Sequence, residues 1–349
     1  MSDERMTKPS LDRRRFGALL AGTLAASAVP GAVAPARAKA EDVRNADFDW
    51  VDVVRDRSVP ARLYWPASGL PARPVPLIVF SHGLGQSRTG YRYLGRHWAA
   101  NGYASLHVQH VGSDRTVWTG NPFEILDRLN DAANEREAIA RAADLSFALD
   151  RILDTGQSAF AGSIDRGRIA AAGHSYGANT TLLIAGARVV RDGRPLDRRD
   201  ARFKAGIVIS APPFYGERDL RSVLASVTIP TFHVTATEDE IQLPGRYSPV
   251  QDRLDVFEAV ESPRKALAVF RGGSHSIFTD RPLTGGATLN PQVKQATAEG
   301  TLAFLDLALG GEEASLVAWS ESWRSILAVA PSPFAIPPAL HRQPARRVI

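Results

Sequence analysis

The stretch RIAAAGHSYGANTTLLIAGA, from Arg168 to Ala187, constrains this chain more than any other. Ile169 to Ala172 is a short, wholly apolar run of the kind that forms a buried parallel strand. Gly173-His174-Ser175-Tyr176-Gly177 follows, and then an Ala/Thr/Leu run with the composition of a helix. Strand, sharp turn and helix with a serine at the apex make a nucleophile elbow. On so cramped a turn the serine Oγ stands clear of the backbone, and the residues two before and two after it must lack bulk. Gly173 and Gly177 meet that need, while Ala178 keeps the helix start close to the strand. Small residues at the turn also leave the backbone N–H of Tyr176 facing any oxyanion formed beside Ser175.

Other parts of the chain fit the same architecture. Asp47 to Pro66 alternates in strand fashion and predicts an opening antiparallel pair. Leu77 to Phe80 is a continuous apolar run suited to a central parallel strand. Ala104–Val108, Ala205–Ile209, Thr231–Thr235 and Ala266–Phe270 predict further strands. Helices are predicted over Tyr91–Asn101, ended by Gly102, over Ala132–Leu153, and from about Pro291 to Leu309. Within the second, Ala142, Leu145, Leu149 and Ile152 fall on one face. The alternation predicts an α/β fold, a doubly wound, mainly parallel sheet with helices on both faces. Asp165-Arg166-Gly167 predicts a turn into the elbow strand, and Arg188 to Arg202 a solvated, charged loop. Gly112 to Pro122 reads as an irregular segment bordering the site.

The ends of the chain differ from this body. Residues 1–38 begin polar, carry Arg13-Arg14-Arg15-Phe16, continue through an Ala/Gly/Leu stretch and finish on Ala36-Arg37-Ala38. That order predicts a twin-arginine-type signal peptide, cleaved at the A-x-A site, and hence a periplasmic or secreted mature protein. The body is then a single domain over residues 39–330, followed by a Pro/Arg-rich tail over 331–349. No stretch after the leader is apolar for long enough to span a bilayer. The formal charge of +5 includes six Lys/Arg against three Asp/Glu in residues 1–38, so the mature chain carries only +2. That modest charge gives no reason to expect a nucleic-acid partner. The chain has no cysteine, which excludes disulfides, a thiol nucleophile and thiolate metal sites.

A serine hydroxyl becomes nucleophilic when a histidine takes its proton, and that histidine needs a carboxylate to hold its tautomer. His275 lies in a Gly/Ser loop after the last predicted strand, and Glu238, Asp239 and Glu240 follow the strand before it. Asp239 is the expected acid, with Glu238 as the alternative. Ser81-His82-Gly83-Leu84-Gly85 directly follows the strand over 77–80, and its Leu84 N–H is the expected second oxyanion donor beside that of Tyr176. His107 and His110, three apart on a strand, point to opposite faces and make no metal pair.

Four stretches together resemble the plasma-type platelet-activating-factor acetylhydrolases and their bacterial relatives within the α/β-hydrolases. They are PLIVFSHGLGQSRTGYRYLG, LNDAANEREAIARAADLSFALDRIL, SIDRGRIAAAGHSYGANT and VFRGGSHSIFTD, which run between Val75 and Asp280. The resemblance implies an α/β-hydrolase fold and calcium-independent hydrolysis of short or oxidised acyl esters, with no metal or organic cofactor. It implies Ser175 as nucleophile, His275 as base, and the amides of Leu84 and Tyr176 as oxyanion donors. The chain departs from the animal enzymes at the acid. They carry it after the strand that follows the elbow helix, where this chain has Ser210, so the carboxylate is expected from the next strand end, at Asp239. The bacterial relatives also resemble dienelactone hydrolases and cutinase-like polyesterases. A lipase or polyesterase is therefore the alternative activity, and a catalytically silent binding scaffold the alternative of another class. The expected partners are a small-molecule or lipid ester and the twin-arginine export machinery.

Overall fold

The computed structural model describes residues 43–66, 73–191, 194–243 and 246–332, all within one unit, Ala38–Ile349. The leader over 1–38 and tail residues 333–349 lie outside the described residues. The strands are β1 (Arg44–Asp52), β2 (Arg57–Trp65), β3 (Val75–Ser81), β4 (Ala104–Val108), β5 (Ile164–His174), β6 (Arg188–Arg191), β7 (Arg194–Asp197), β8 (Phe203–Ile209), β9 (Thr231–Glu238), β10 (Ile241–Leu243), β11 (Arg246–Ser248), β12 (Lys265–Ser274) and β13 (Leu327–Val329). The helices are α1 (Arg92–Ala100), α2 (Ile125–Ala132), α3 (Glu135–Leu153), α4 (Tyr176–Ala185), α5 (Leu220–Leu224), α6 (Gln251–Ala259), α7 (Leu289–Leu305) and α8 (Glu313–Ser322).

Among the described residues, nine strands form one sheet in the order β1-β2-β4-β3-β5-β8-β9-β12-β13. The run from β4 through β12 is parallel, with antiparallel partners at both edges. Pleat alternation divides the core. Ile78 and Phe80 of β3 pack with Leu94 and Trp98 of α1 and with α7 and α8 on one face. Leu77 and Val79 pack with Leu145, Leu149 and Ile152 of α3 on the other, where α4, α5 and α6 also lie. The expected doubly wound sheet is present, and its parallel strands all end on the side that carries Ser175, Asp239 and His275.

Several expectations needed correction. The helix over Ala132–Leu153 is broken at Ala133, because the Asn134 side chain accepts from the Glu137 N–H (2.8 Å) and caps a new helix, α3. Asp165-Arg166-Gly167 is a bulge within β5 rather than a turn before it: Val75 pairs with Ile164 but Leu77 with Ile169, and Asp165 accepts from the Gly167 N–H. Arg188 to Arg202 is not a plain loop, since β6 and β7 pair as a hairpin with Arg188 and Asp197 bridged at 2.7 Å across it. The closing helix starts at Leu289 and turns to π geometry over Asp306–Gly310. Helix α8 and edge strand β13 had no counterpart in the sequence reading. Gly112 to Pro122 carries a 3-10 turn, Arg115–Trp118, capped by Asp114.

Candidate active site

The elbow has the geometry that the glycines predict. Ser175 sits between β5 and α4 at φ 55°, ψ −123°, a left-handed conformation that costs a non-glycine residue about 1–3 kcal/mol. A Cβ at Gly173 would strike the carbonyl of Gly177, and one at Gly177 would strike that of Ser81. The Ser175 N–H donates to the Ile209 carbonyl at 2.9 Å, which ties the apex to β8.

His275, immediately after β12, places Nε2 2.8 Å from Ser175 Oγ and Nδ1 2.8 Å from Asp239 Oδ1. Asp239 follows β9 and is fully buried, whereas Glu238 and Glu240 are exposed. The pleat thus turns only the middle carboxylate of the three inward. Burial alone would raise the Asp239 pKa, but His275 and the Arg253 guanidinium (Nε at 3.4 Å) hold its carboxyl well below the usual range. Thr235 donates to its other oxygen at 2.8 Å. An ionised carboxylate only accepts, so Nδ1 carries the proton and Nε2 is left to accept from Ser175. The Ser210 Oγ, at the end of β8, lies 2.7 Å from the same Nδ1. In the sequence that position is marked only by the carboxylate it lacks, and no local pattern signals its contact with the ring.

The loop after β3 faces the elbow. The His110 N–H donates to His82 Nε2 (3.1 Å), so His82 Nδ1 carries a proton and donates to the Gly83 carbonyl (2.7 Å). That bond orients the Gly83–Leu84 peptide plane, whose N–H belongs to Leu84 and points the opposite way. Both Gly83 and Leu84 line the cavity at Ser175. Tyr176 is the first residue of α4, where N–H groups point out of the helix end.

Beneath both segments lies Arg141 of α3, fully buried. It donates to Ser113 Oγ (2.8 Å), to Ser81 Oγ and Thr180 Oγ1 (3.1 Å each), and to the His82 carbonyl. Its guanidinium also stacks 4.4 Å from the Tyr176 ring centroid. Burial lowers its pKa to about 10, so it remains a cation at neutral pH. Nothing in the helical pattern marked Arg141, whose partners lie 28 to 60 positions away.

Ser175 and His275 open on a cavity of about 320 Å³ lined largely by apolar side chains, including Leu84, Trp118, Leu126, Ile139, Phe214 and Ile241. Trp118, in the segment expected to border the site, is pinned by its Nε1–H to the Gly85 carbonyl at 2.9 Å. Among the described residues no group of three or more His, Asp or Glu could hold a metal ion, and no helix is long and apolar enough to cross a membrane.

Comparisons with known proteins bear on this geometry. Residues 57–142 match the family model for platelet-activating factor acetylhydrolase, isoform II. A platelet-activating factor acetylhydrolase of Cavia porcellus is 24% identical over 292 residues, covering 72% of this chain and 61% of the relative. One of Canis lupus familiaris is 26% identical over 276 residues, covering 67% and 57%. The chain therefore spans less than two thirds of the length of these relatives. A ferulic acid esterase from Streptomyces cinnamoneus superimposes with a TM-score of 0.56 at 21% identity, over 80% of this chain and 93% of the other. With the nine-stranded sheet, that superposition decides the fold. The chain has the α/β-hydrolase fold. In sequence it is similar to the platelet-activating-factor acetylhydrolases. The family-model match ends at residue 142, ahead of the elbow, so the placement of Ser175, Asp239 and His275 rests on this structure's own distances.

Proposed function

We propose that this α/β-hydrolase is an exported serine carboxylic-ester hydrolase that cleaves short-acyl or oxidised-acyl esters through an acyl-enzyme. The observation that carries the reading is the line Ser175–His275–Asp239, two contacts of 2.8 Å opening on an apolar cavity. Ser175 Oγ attacks the ester carbonyl while Nε2 of His275 takes its proton. The alkoxide leaves with that proton, and a water activated by the same nitrogen then releases the acid and regenerates Ser175. Asp239 keeps the ring in the accepting tautomer and stabilises the imidazolium. The amides of Leu84 and Tyr176 hold the oxyanion, each such donor typically contributing about 3 kcal/mol. Similarity to proteins named acetylhydrolases supports a short acyl group, and the composition of residues 1–38 supports export.

A second reading is a lipase or polyesterase acting on longer or polymeric esters. The cavity favours it, because about 320 Å³ of mostly apolar space is more than an acetyl group fills. Hydrolysis of p-nitrophenyl esters from acetate to palmitate, by the wild type and Ser175→Ala, separates the two. Activity confined to short chains and absent from the variant supports the first reading. A rate that rises with chain length supports the second. No hydrolysis of any ester by a folded protein would leave a binding scaffold. Export is tested apart from activity: the N-terminus of protein recovered outside the cytoplasm should follow Ala38, and a mature chain starting at Met1 would refute cleavage.

A further inference from the structure

We propose that Tyr91 and His174 are positioning residues, forming a hydrogen-bonded relay that ties the oxyanion loop to the loop of the catalytic histidine. The inference rests on the ester-hydrolase reading above and concerns residues that reading leaves without a role. His174 occupies the position before Ser175, is buried, and its two ring nitrogens bond to partners other than the nucleophile's hydroxyl. Its Nε2 lies 3.1 Å from the backbone carbonyl of His275, and its Nδ1 lies 2.8 Å from Tyr91 Oη. Tyr91 Oη in turn is 3.3 Å from the Gly83 N–H.

The two ends of this chain fix the direction of every bond in it. The His275 carbonyl can only accept, so His174 Nε2 carries a proton. Neutral His174 then has a bare Nδ1, which accepts from the Tyr91 hydroxyl. That hydroxyl has spent its proton and accepts from the Gly83 amide, which can only donate. The relay works only with His174 neutral, and burial, followed by the proximity of His275, lowers its pKa to about 3. A second cation is thereby kept away from the His275 ring, whose centroid is 4.8 Å distant.

Two further features belong to the same device. Tyr91, the residue that caps α1, lies in the left-handed region at φ 56°, an outlier for a bulky side chain, and its hydroxyl reaches His174 of the elbow. Gly83 carries no Cβ because one would stand 3.0 Å from Tyr91 Oη and 3.3 Å from His174 Nδ1. With the Gly83 N–H committed to Tyr91, the next amide, that of Leu84, is the one left to face the substrate. The relay so joins three segments distant in sequence, the β3 loop, the elbow and the β12 loop, which meet at the wall of the cavity and whose alignment sets the transition-state geometry.

The test compares Tyr91→Phe, His174→Leu and His174→Gln with wild type on p-nitrophenyl acetate, with thermal melts to confirm folding. Glutamine is the informative substitution, because its amide presents one N–H and one carbonyl much as the imidazole presents Nε2–H and Nδ1. Tyr91→Phe removes both hydrogen bonds of Oη, to His174 and from Gly83, while keeping the ring, and should lower kcat about tenfold with KM within about twofold. His174→Leu should lower kcat by more, and His174→Gln should recover most of that loss. A wild-type kcat in Tyr91→Phe, or a glutamine variant no better than leucine, would overturn the relay. If His174→Leu does not fold, Tyr91→Phe decides, since it removes a single oxygen. Wild-type hydrolysis that is lost in Ser175→Ala establishes the underlying reading independently. Its absence would overturn that reading and the relay with it.

Discussion

Replacing Asp239 by Asn isolates the charge of the acid from its shape. Asp239 Oδ1 accepts from His275 Nδ1 at 2.8 Å, and its other oxygen accepts from Thr235 at 2.8 Å. In the variant, the Asn carbonyl can keep facing the ring if its amide turns to Thr235, whose hydroxyl rotates to accept. The tautomer then survives and the loss is the stabilisation of the imidazolium formed as Ser175 attacks. Two opposite unit charges about 4 Å apart at an effective dielectric of 20 are worth roughly 4 kcal/mol, about a thousandfold in rate. If the amide instead faces the ring, the wrong tautomer is held and the loss approaches about 10⁴-fold. The expected fall in kcat for Asp239→Asn is therefore about 10³- to 10⁴-fold, measured on p-nitrophenyl acetate. Exposed Glu238 serves as the comparison, and Glu238→Gln should change kcat by less than about twofold. Retention of a tenth of wild-type activity in Asp239→Asn, or a larger loss from Glu238→Gln, would refute this assignment of the acid.

Arg141→Met should cost about 2–4 kcal/mol of stability in denaturant unfolding, because it strands the His82 carbonyl and removes a buried cation; a loss under about 0.5 kcal/mol would contradict its role beneath the site. Acid should destabilise the fold well above the carboxylate range. His107, His174 and His233 are buried and neutral, with pKa values lowered by burial to about 3. The unfolded chain binds their protons near pH 6.5 and the folded chain does not, so their contribution is whole above that pH and is lost as pH falls toward 3. The expected slope is up to about 4 kcal/mol per pH unit for the three together, and unfolding free energies that stay flat between pH 6 and 4.5 would contradict it.

What the sequence made legible was local. The elbow could be read because Gly173 and Gly177 answer collisions within five residues of each other and with the adjacent β3, and because a buried strand precedes them. The strand ends could be read too, and Asp239 is the acid expected there, but the burial that sets it apart from exposed Glu238 and Glu240 comes from the way the chain leaves β9. The break at Asn134 carried a usable sign, an Asn three residues before a Glu at a helix start, that the apolar spacing of the following helix obscured. Arg141, Tyr91 and His174 carried none. Each acts through partners 8 to 101 positions away, and only the packing of α1 and α3 against opposite faces of the sheet brings those partners together. Ser210 shows the same limit from the other side, because a missing carboxylate at its position does not reveal a hydroxyl 2.7 Å from the histidine ring.

The most direct test of the central claim is covalent trapping of the nucleophile. The wild type is incubated with diethyl p-nitrophenyl phosphate, its intact mass is measured, and the modified peptide is sequenced. One diethylphosphoryl group per chain on Ser175, with one equivalent of p-nitrophenol released and no adduct in His275→Ala, is the expected result. A chain that stays unmodified while folded, or that carries the adduct on another residue, would contradict the account of Ser175 as a nucleophile activated by His275.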